Sequence, residues 1–122
     1  MAKHGYDYDL IVIGSGAGGG IAAHTAANEG HRVAIVEQEN VGGECPTYGC
    51  IPTKALLRSA EVYDEAKNGE QFGLRTSTVN YSYPKVSKWK DSAVLHTGVD
   101  QGERVYQDEG ITLLRGHAHF ID

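Results

Sequence analysis

Residues 11–20 read IVIGSGAGGG, and the next ten read IAAHTAANEG. An apolar run stops at a cluster of glycines and the glycines give way to alanines. One stretch therefore specifies a short strand, a tight turn and a helix built to lie close to its neighbour. Gly14, Gly16 and Gly19 fall in the GxGxxG arrangement. Gly14 permits the tight turn, Gly16 leaves room for a pyrophosphate to approach the backbone, and Gly19 lets helix and strand pack closely. The helix N-terminus adds free N–H groups and positive potential, both suited to phosphate.

Working outward, the runs at 8–13 and 32–37 are rich in Ile and Val without strict alternation. That pattern suits parallel strands covered on both faces. Ala22, Ala23, Ala26 and Ala27 suit a helix packed tightly between them, and Gly30 suits its stop. The unit is βαβ, about thirty residues long, with a right-handed crossover expected. Glu37 ends the second strand, 23 residues after Gly14. A carboxylate there can accept hydrogen bonds from both ribose hydroxyls of a dinucleotide and would repel a 2′-phosphate. The rival reading, a glycine turn with a surface glutamate, explains the turn but not its placement between strand and helix. NAD and FAD fit this much equally.

Further along, a helical segment is predicted over 45–67, with Leu56, Ala60 and Tyr63 at helical spacing, and a loop over 68–83. Pro84 suits the first turn of a third helix running to about 108, although Gly98 and Gly102 weaken its second half. A strand is expected at 111–115, and HAHFID, 117–122, can begin another. With no repeat or linker, the 122 residues read as one domain. Sixteen acidic against eleven basic residues, net charge −5, leave no basic run to track a nucleic-acid backbone. The N-terminal apolar run covers only 10–13, neither a signal-peptide core nor a membrane span, so a soluble cytoplasmic protein is expected.

The only two cysteines, Cys45 and Cys50, stand in GGECPTYGCIPTK, 42–54. A structural zinc site would need two more ligands, and only histidines scattered at 4, 24, 31, 96, 117 and 119 remain. His117 and His119 would share a strand face, yet nothing places them near the thiols, so no metal is expected. Residues five apart in a regular helix have Cα atoms roughly 8 to 9 Å apart, beyond the roughly 4.4 to 6.8 Å a disulfide tolerates. A bridge therefore needs irregular backbone. Pro46, Gly49 and Pro52 supply it. So small a loop would constrain the unfolded chain little, which weakens a purely structural bridge. If the helix proper begins near Pro52, its dipole and the Lys54 ammonium both favour thiolate at Cys50, the species that disulfide exchange requires. The plainer alternative for Lys54 is an exposed lysine.

GSGAGGGIAA, VAIVE and GGECPTYGCIPTKALL, in that order and spacing, closely resemble the start of the pyridine nucleotide-disulfide oxidoreductase family, particularly its dihydrolipoamide dehydrogenase and mercuric reductase branches. The resemblance covers almost the whole chain. It implies an α/β fold, a Rossmann-like FAD-binding domain with a parallel sheet and helices, and electron transfer between a nicotinamide cofactor, FAD and a Cys45/Cys50 redox pair. It further implies that Cys45 exchanges with substrate, that Cys50 lies against the flavin and that Lys54 stands near flavin N5. Gly14, Gly16 and Gly19 would hold the FAD pyrophosphate, Glu37 the adenosine ribose, and Gly42 with Gly43 would pass close to the cofactor. Gly116, His117 and Ala118, in RGHAHFID, would border the adenine, a simple strand turn being the alternative.

The implied substrate is a small dithiol or disulfide, with mercuric ion or a non-catalytic nucleotide-binding module as alternatives. Two departures from the family pattern stand out: Glu44 replaces the usual Thr, and Pro46-Thr47-Tyr48 replaces an apolar-Asn-Val run. Glu44 could raise the thiol pKa or turn outward. The family also continues into an NAD(P) domain and a dimerisation domain that the resemblance does not reach. The expectation is an N-terminal part of an incomplete FAD domain, inactive alone, from a homodimeric parent.

Overall fold

The computed structural model describes residues 5–121. His4 and the outermost ends of the single-domain assignment lie outside the described residues. Three strands, β1 (Leu10–Ile13), β2 (Val33–Glu37) and β3 (Thr112–Arg115), form a parallel sheet in the order β1-β2-β3. Helix α1 (Ala17–Asn28) links the first two strands. Helices α2 (Glu44–Thr47), α3 (Cys50–Asn68), α4 (Tyr83–Leu95) and α5 (Gly102–Asp108) lie between the last two. The α/β class and parallel sheet agree with the expectation from sequence.

Register explains where the core forms. Val12 pairs with Ile35 and Ile35 with Leu113, so these three form one row across the sheet. That row packs with Val33, with Ala23, Ala26 and Ala27 of α1, and with Tyr106 of α5, around which Val41 and Ile111 close the cluster. Residues at even spacing share a face, so Ile11, Ile13 and Leu114 point the other way. They are exposed. The expectation that the runs at 8–13 and 32–37 are covered on both faces is therefore corrected for the first: β2 is buried along its length, while β1, like β3, is covered on the α1 and α5 side only. Helices α3 and α4 pack chiefly on each other, and on the second face Ile11, Ile13 and Leu114 stay uncovered.

Two predicted helices are broken. The segment expected over 45–67 divides into α2 and α3 at Tyr48 and Gly49, and α3 begins at Cys50 rather than Pro52. Pro52 sits buried in the first turn, where its missing N–H would have had no partner within the helix. The helix expected over 84–108 stops at Leu95 and resumes at Gly102, because Gly98 turns left-handed at φ 73° and a short 3₁₀ turn, Val99–Gln101, follows. Residues 117–121 form no strand. In the segment read as loop, Gly69–Phe72 make a 3₁₀ turn.

At the base of the sheet, Asp9 and Arg32 lock β1 against β2. The guanidinium donates to both carboxylate oxygens at 2.8 and 3.1 Å, and the Arg32 N–H donates to Asp9 at 2.8 Å. The Arg32 side chain, through these hydrogen bonds, holds the Asp9 carboxyl well below the usual carboxylate range.

Candidate functional site

At the C-terminal end of the sheet the backbone continues the strand ladder: Gly14 N–H donates to Val36 and Gly116 N–H to Glu37, at 2.8 and 3.0 Å. Gly19 follows in α1. A side chain there would fall on the Gly14 carbonyl oxygen, so the close packing of helix and strand assigned to this glycine is seen directly. The N-cap, Gly16, has no side chain to satisfy the first turn of α1, which leaves N–H groups facing outward.

Glu37 is 8% exposed, and its carboxylate is bound inward. One oxygen, Oε2, accepts from the Ser15 hydroxyl at 2.6 Å and the Ser15 N–H at 2.8 Å. The other, Oε1, accepts from Glu39 N–H at 2.8 Å. Burial opposes its charge, but the Ser15 hydroxyl and the backbone N–H groups of Glu39, Ser15 and Gln38 outweigh burial and hold the carboxyl below its ordinary value. Three of these donors, the Ser15 hydroxyl and the Ser15 and Glu39 N–H groups, make well-formed hydrogen bonds while the Gln38 N–H acts without one, so of about four acceptor sites on a carboxylate about one is left for an outside donor.

Two clefts open here. The first, about 160 Å³, lies between Ile13, Gly14, Val36, Glu37 and Gln38 on one side and Gly116, His117 and Ala118 on the other. The second, about 270 Å³, shares Glu37 and Gln38 with it and is bounded by Gly16, Glu39, Asn40, Gly43, Glu44 and Tyr48. Gly14, Gly16, Glu37, Gly43, Gly116, His117 and Ala118 therefore line one depression across the ends of the strands. Gly42 faces a third cleft, about 200 Å³, behind the segment, with Pro46 and Tyr106.

The cysteine segment is carried to this depression by backbone contact. Gly43 adopts φ 77° and ψ −164°, and a Cβ on it would stand 2.8 Å from the Gly16 Cα. Only glycine can bring the two chains so near. The short helix α2 then ends as Tyr48 and Gly49 both donate to the Glu44 carbonyl, at 3.0 and 2.8 Å. Gly49, at φ −98° and ψ −104°, folds against residues 44 and 45; a Cβ would meet the Cys45 Cα at 3.4 Å. This reversal sets Cys50, the first residue of α3, back beside Cys45. Both cysteines are free and exposed.

Cys45 has a raised pKa, first because the Cys50 thiol is close enough to act on it as a hydrogen-bonding partner, with lost hydration adding and the Lys54 ammonium opposing. Lys54 is thus within charge range of Cys45. Glu44 is exposed, and its charge acts on the Tyr48 phenol, whose pKa is raised by lost hydration first and then by Glu44 and Glu39.

Two residues of the site were not singled out from sequence. Ser15 is 2% exposed, and its oxygen also accepts from Gly42 N–H at 3.0 Å. Arg115 ends β3, donates to the Glu39 carbonyl at 2.6 Å and to Glu103 of α5 at 2.9 Å, and so clamps the 38–40 segment. The one signal for Ser15 was a polar residue inside the glycine motif.

Comparison with known proteins gives the same direction. Residues 8–121 match the family model described as pyridine nucleotide-disulphide oxidoreductase. Among curated relatives, a dihydrolipoyl dehydrogenase of Geobacillus stearothermophilus is 39% identical over 116 residues, 93% of this chain and 24% of the relative. One of Bacillus subtilis (strain 168) is 48% identical over 88 residues, 72% of this chain and 19% of the relative. One of Chlorobaculum parvum is 52% identical over 81 residues, 66% and 17% respectively. The chain thus spans about a quarter, or less, of the length of these relatives. No helix among the described residues is long and apolar enough to cross a membrane.

Proposed function

The chain belongs to the pyridine nucleotide-disulphide oxidoreductase family, and from that premise we propose that it is the N-terminal part of an FAD-binding domain whose Cys45/Cys50 pair exchanges electrons with a small dithiol or disulfide. The relatives named dihydrolipoyl dehydrogenase favour a dihydrolipoyl-type dithiol, with NAD(P) served by other parts of a longer parent. FAD fits the residues present. A side chain at Gly14 or Gly16 would meet nothing within 4 Å on the Gly14 side and only open space at Gly16, so the turn offers an unobstructed cradle beside the free N–H groups of α1.

Bound there, FAD would supply the two-electron carrier between the thiol pair and a nicotinamide. The chain's own residues do the holding and the sulfur chemistry. The first turn of α1 would hold the diphosphate, the remaining acceptor site of Glu37 would accept from a ribose hydroxyl, and the 160 Å³ cleft at Gly116, His117 and Ala118 would hold the adenine. With the pair oxidised, a substrate thiolate attacks Cys45 Sγ, the Cys45–Cys50 bond breaks and Cys50 leaves as thiolate. The substrate's second thiolate then attacks its own mixed-disulfide sulfur and displaces Cys45. The substrate loses two electrons and becomes a disulfide; the pair gains them. The neighbouring Cys50 thiol and lost hydration favour the protonated form of Cys45, and the Lys54 ammonium opposes them.

The observation that carries this reading is the return of Cys50 to Cys45 at the end of a segment docked by backbone contact, Gly43 on Gly16. Thiol counting tests it. Mild oxidation of the chain should remove both thiols within one molecule, dithiothreitol should restore two, and Cys50→Ser should leave one that does not oxidise intramolecularly. Two thiols that persist through oxidation, or that pair only between molecules, would reject the redox assignment and favour a plain nucleotide-binding module.

A further inference from the structure

The hydroxyl of Ser15 stands where two parts of the site meet. It is buried, and a serine hydroxyl has one proton to give. The shortest contact, 2.6 Å to a charged acceptor, assigns that proton to Glu37 Oε2. Its lone pairs then face Gly42 N–H at 3.0 Å. Asn40 carbonyl, at 3.4 Å, is a distant third neighbour. One side chain therefore orients the carboxylate at the end of β2 and pins the residue before Gly43, whose backbone rests on Gly16. Glu37 is 22 residues away in sequence and Gly42 is 27.

We infer that Ser15 is a positioning residue for the nucleotide half of FAD: its hydroxyl fixes the Glu37 carboxylate so that the one free acceptor site faces the adenosine ribose, and it holds Gly42–Gly43 against the glycine turn. The inference rests on the cofactor reading proposed above. Removing the hydroxyl frees the carboxylate to rotate about its terminal torsion and leaves Gly42 N–H without its acceptor. Ser15 touches no flavin atom in this role; it acts through Glu37.

The test is FAD titration of the whole chain by flavin fluorescence, with riboflavin, which lacks the adenosine half, as the control ligand. Ser15→Ala should weaken FAD by about tenfold to a hundredfold, the equivalent of one hydrogen bond to a charged group, and leave riboflavin unchanged. Ser15→Cys, close in volume but a poor donor, should lose FAD affinity to a similar degree, and serves if the alanine variant does not fold. The signature is non-additivity: in the Ser15→Ala background, Glu37→Gln should cost far less than it does alone. Unchanged FAD affinity in a variant that melts lower would overturn the inference and leave Ser15 a packing residue. Additive losses in the double variant would overturn it as well. Wild-type chain that takes up no FAD would instead strike the cofactor reading, and this inference with it.

Discussion

Replacing Gly43 by alanine tests the docking of the cysteine segment most sharply. The native backbone, φ 77° with ψ −164°, lies in a region that is essentially glycine's alone, and holding another residue there costs about 1 to 3 kcal/mol. The new methyl would also stand 2.8 Å from the Gly16 Cα. That is about 0.7 Å inside ordinary carbon–carbon contact. Overpacking of this kind adds about 1 to 3 kcal/mol, and the neighbour here is backbone, which cannot rotate away. The strain is not easily shed by lifting the segment, since Val41 is buried in the core and Gly42 N–H is bonded to Ser15. A loss of about 2 to 6 kcal/mol follows, a large share of the roughly 5 to 15 kcal/mol that holds a domain together. Urea unfolding followed by circular dichroism measures it, and thermal melting should fall by at least about 6 °C. Gly18→Ala is the companion: a Cβ there meets nothing within 4 Å, and α1 should gain up to about 1 kcal/mol. If Gly43→Ala unfolds at the wild-type midpoint, the backbone contact does not hold the segment and the account of the site is wrong.

Tyr106, 4% exposed and stacked on His24 with ring centroids 5.2 Å apart, anchors α5 to α1. Tyr106→Ala should cost about 3 to 5 kcal/mol in thermal or chemical unfolding, and a cost under 1 would contradict its place in the core. Arg115→Ala should cost about 1 kcal/mol and speed amide exchange across residues 38–40, because it releases the Glu39 carbonyl; protection that stays the same there would count against the clamp. Asp9 titrates lower in the folded chain than in the unfolded one, so its contribution is complete above about pH 4 and disappears as pH falls further. Asp9→Asn should therefore melt below wild type at neutral pH and lose less on acidification, and parallel pH profiles would refute the lock between β1 and β2.

The glycine turn, the two parallel strands around it and the irregular chain between the cysteines were legible in the sequence because each depends on neighbours within a few residues. Gly14 to Gly19 dictate a turn and a tight helix whatever surrounds them, and a five-residue separation excludes a regular helix between bonded thiols. The misses have long-range causes. Runs such as LIVI look the same whether one face or both will be covered, and the register pairing Val12 with Ile35 and Leu113 decides which side α1 and α5 fill. Ser15 reads as a filler between glycines until Glu37 and Gly42 are brought to it from 22 and 27 residues away. Arg115 reaches a carbonyl 76 residues earlier. Gly98 was recognised as a helix weakness, but its left-handed turn and the restart at Gly102 follow from the packing of Gly102 on Val41, which no local pattern announces.

The one-sided sheet has a practical consequence. Ile11 and Ile13 are each more than half exposed, and β1 is hydrogen-bonded along only one side among the described residues. A free strand edge beside a bare aliphatic surface is a template for another molecule's backbone. The net charge of −5 opposes such encounters by mutual repulsion, a barrier that dissolved salt shortens. Purified chain should accordingly keep best dilute and at low ionic strength, and self-association should quicken as salt is raised.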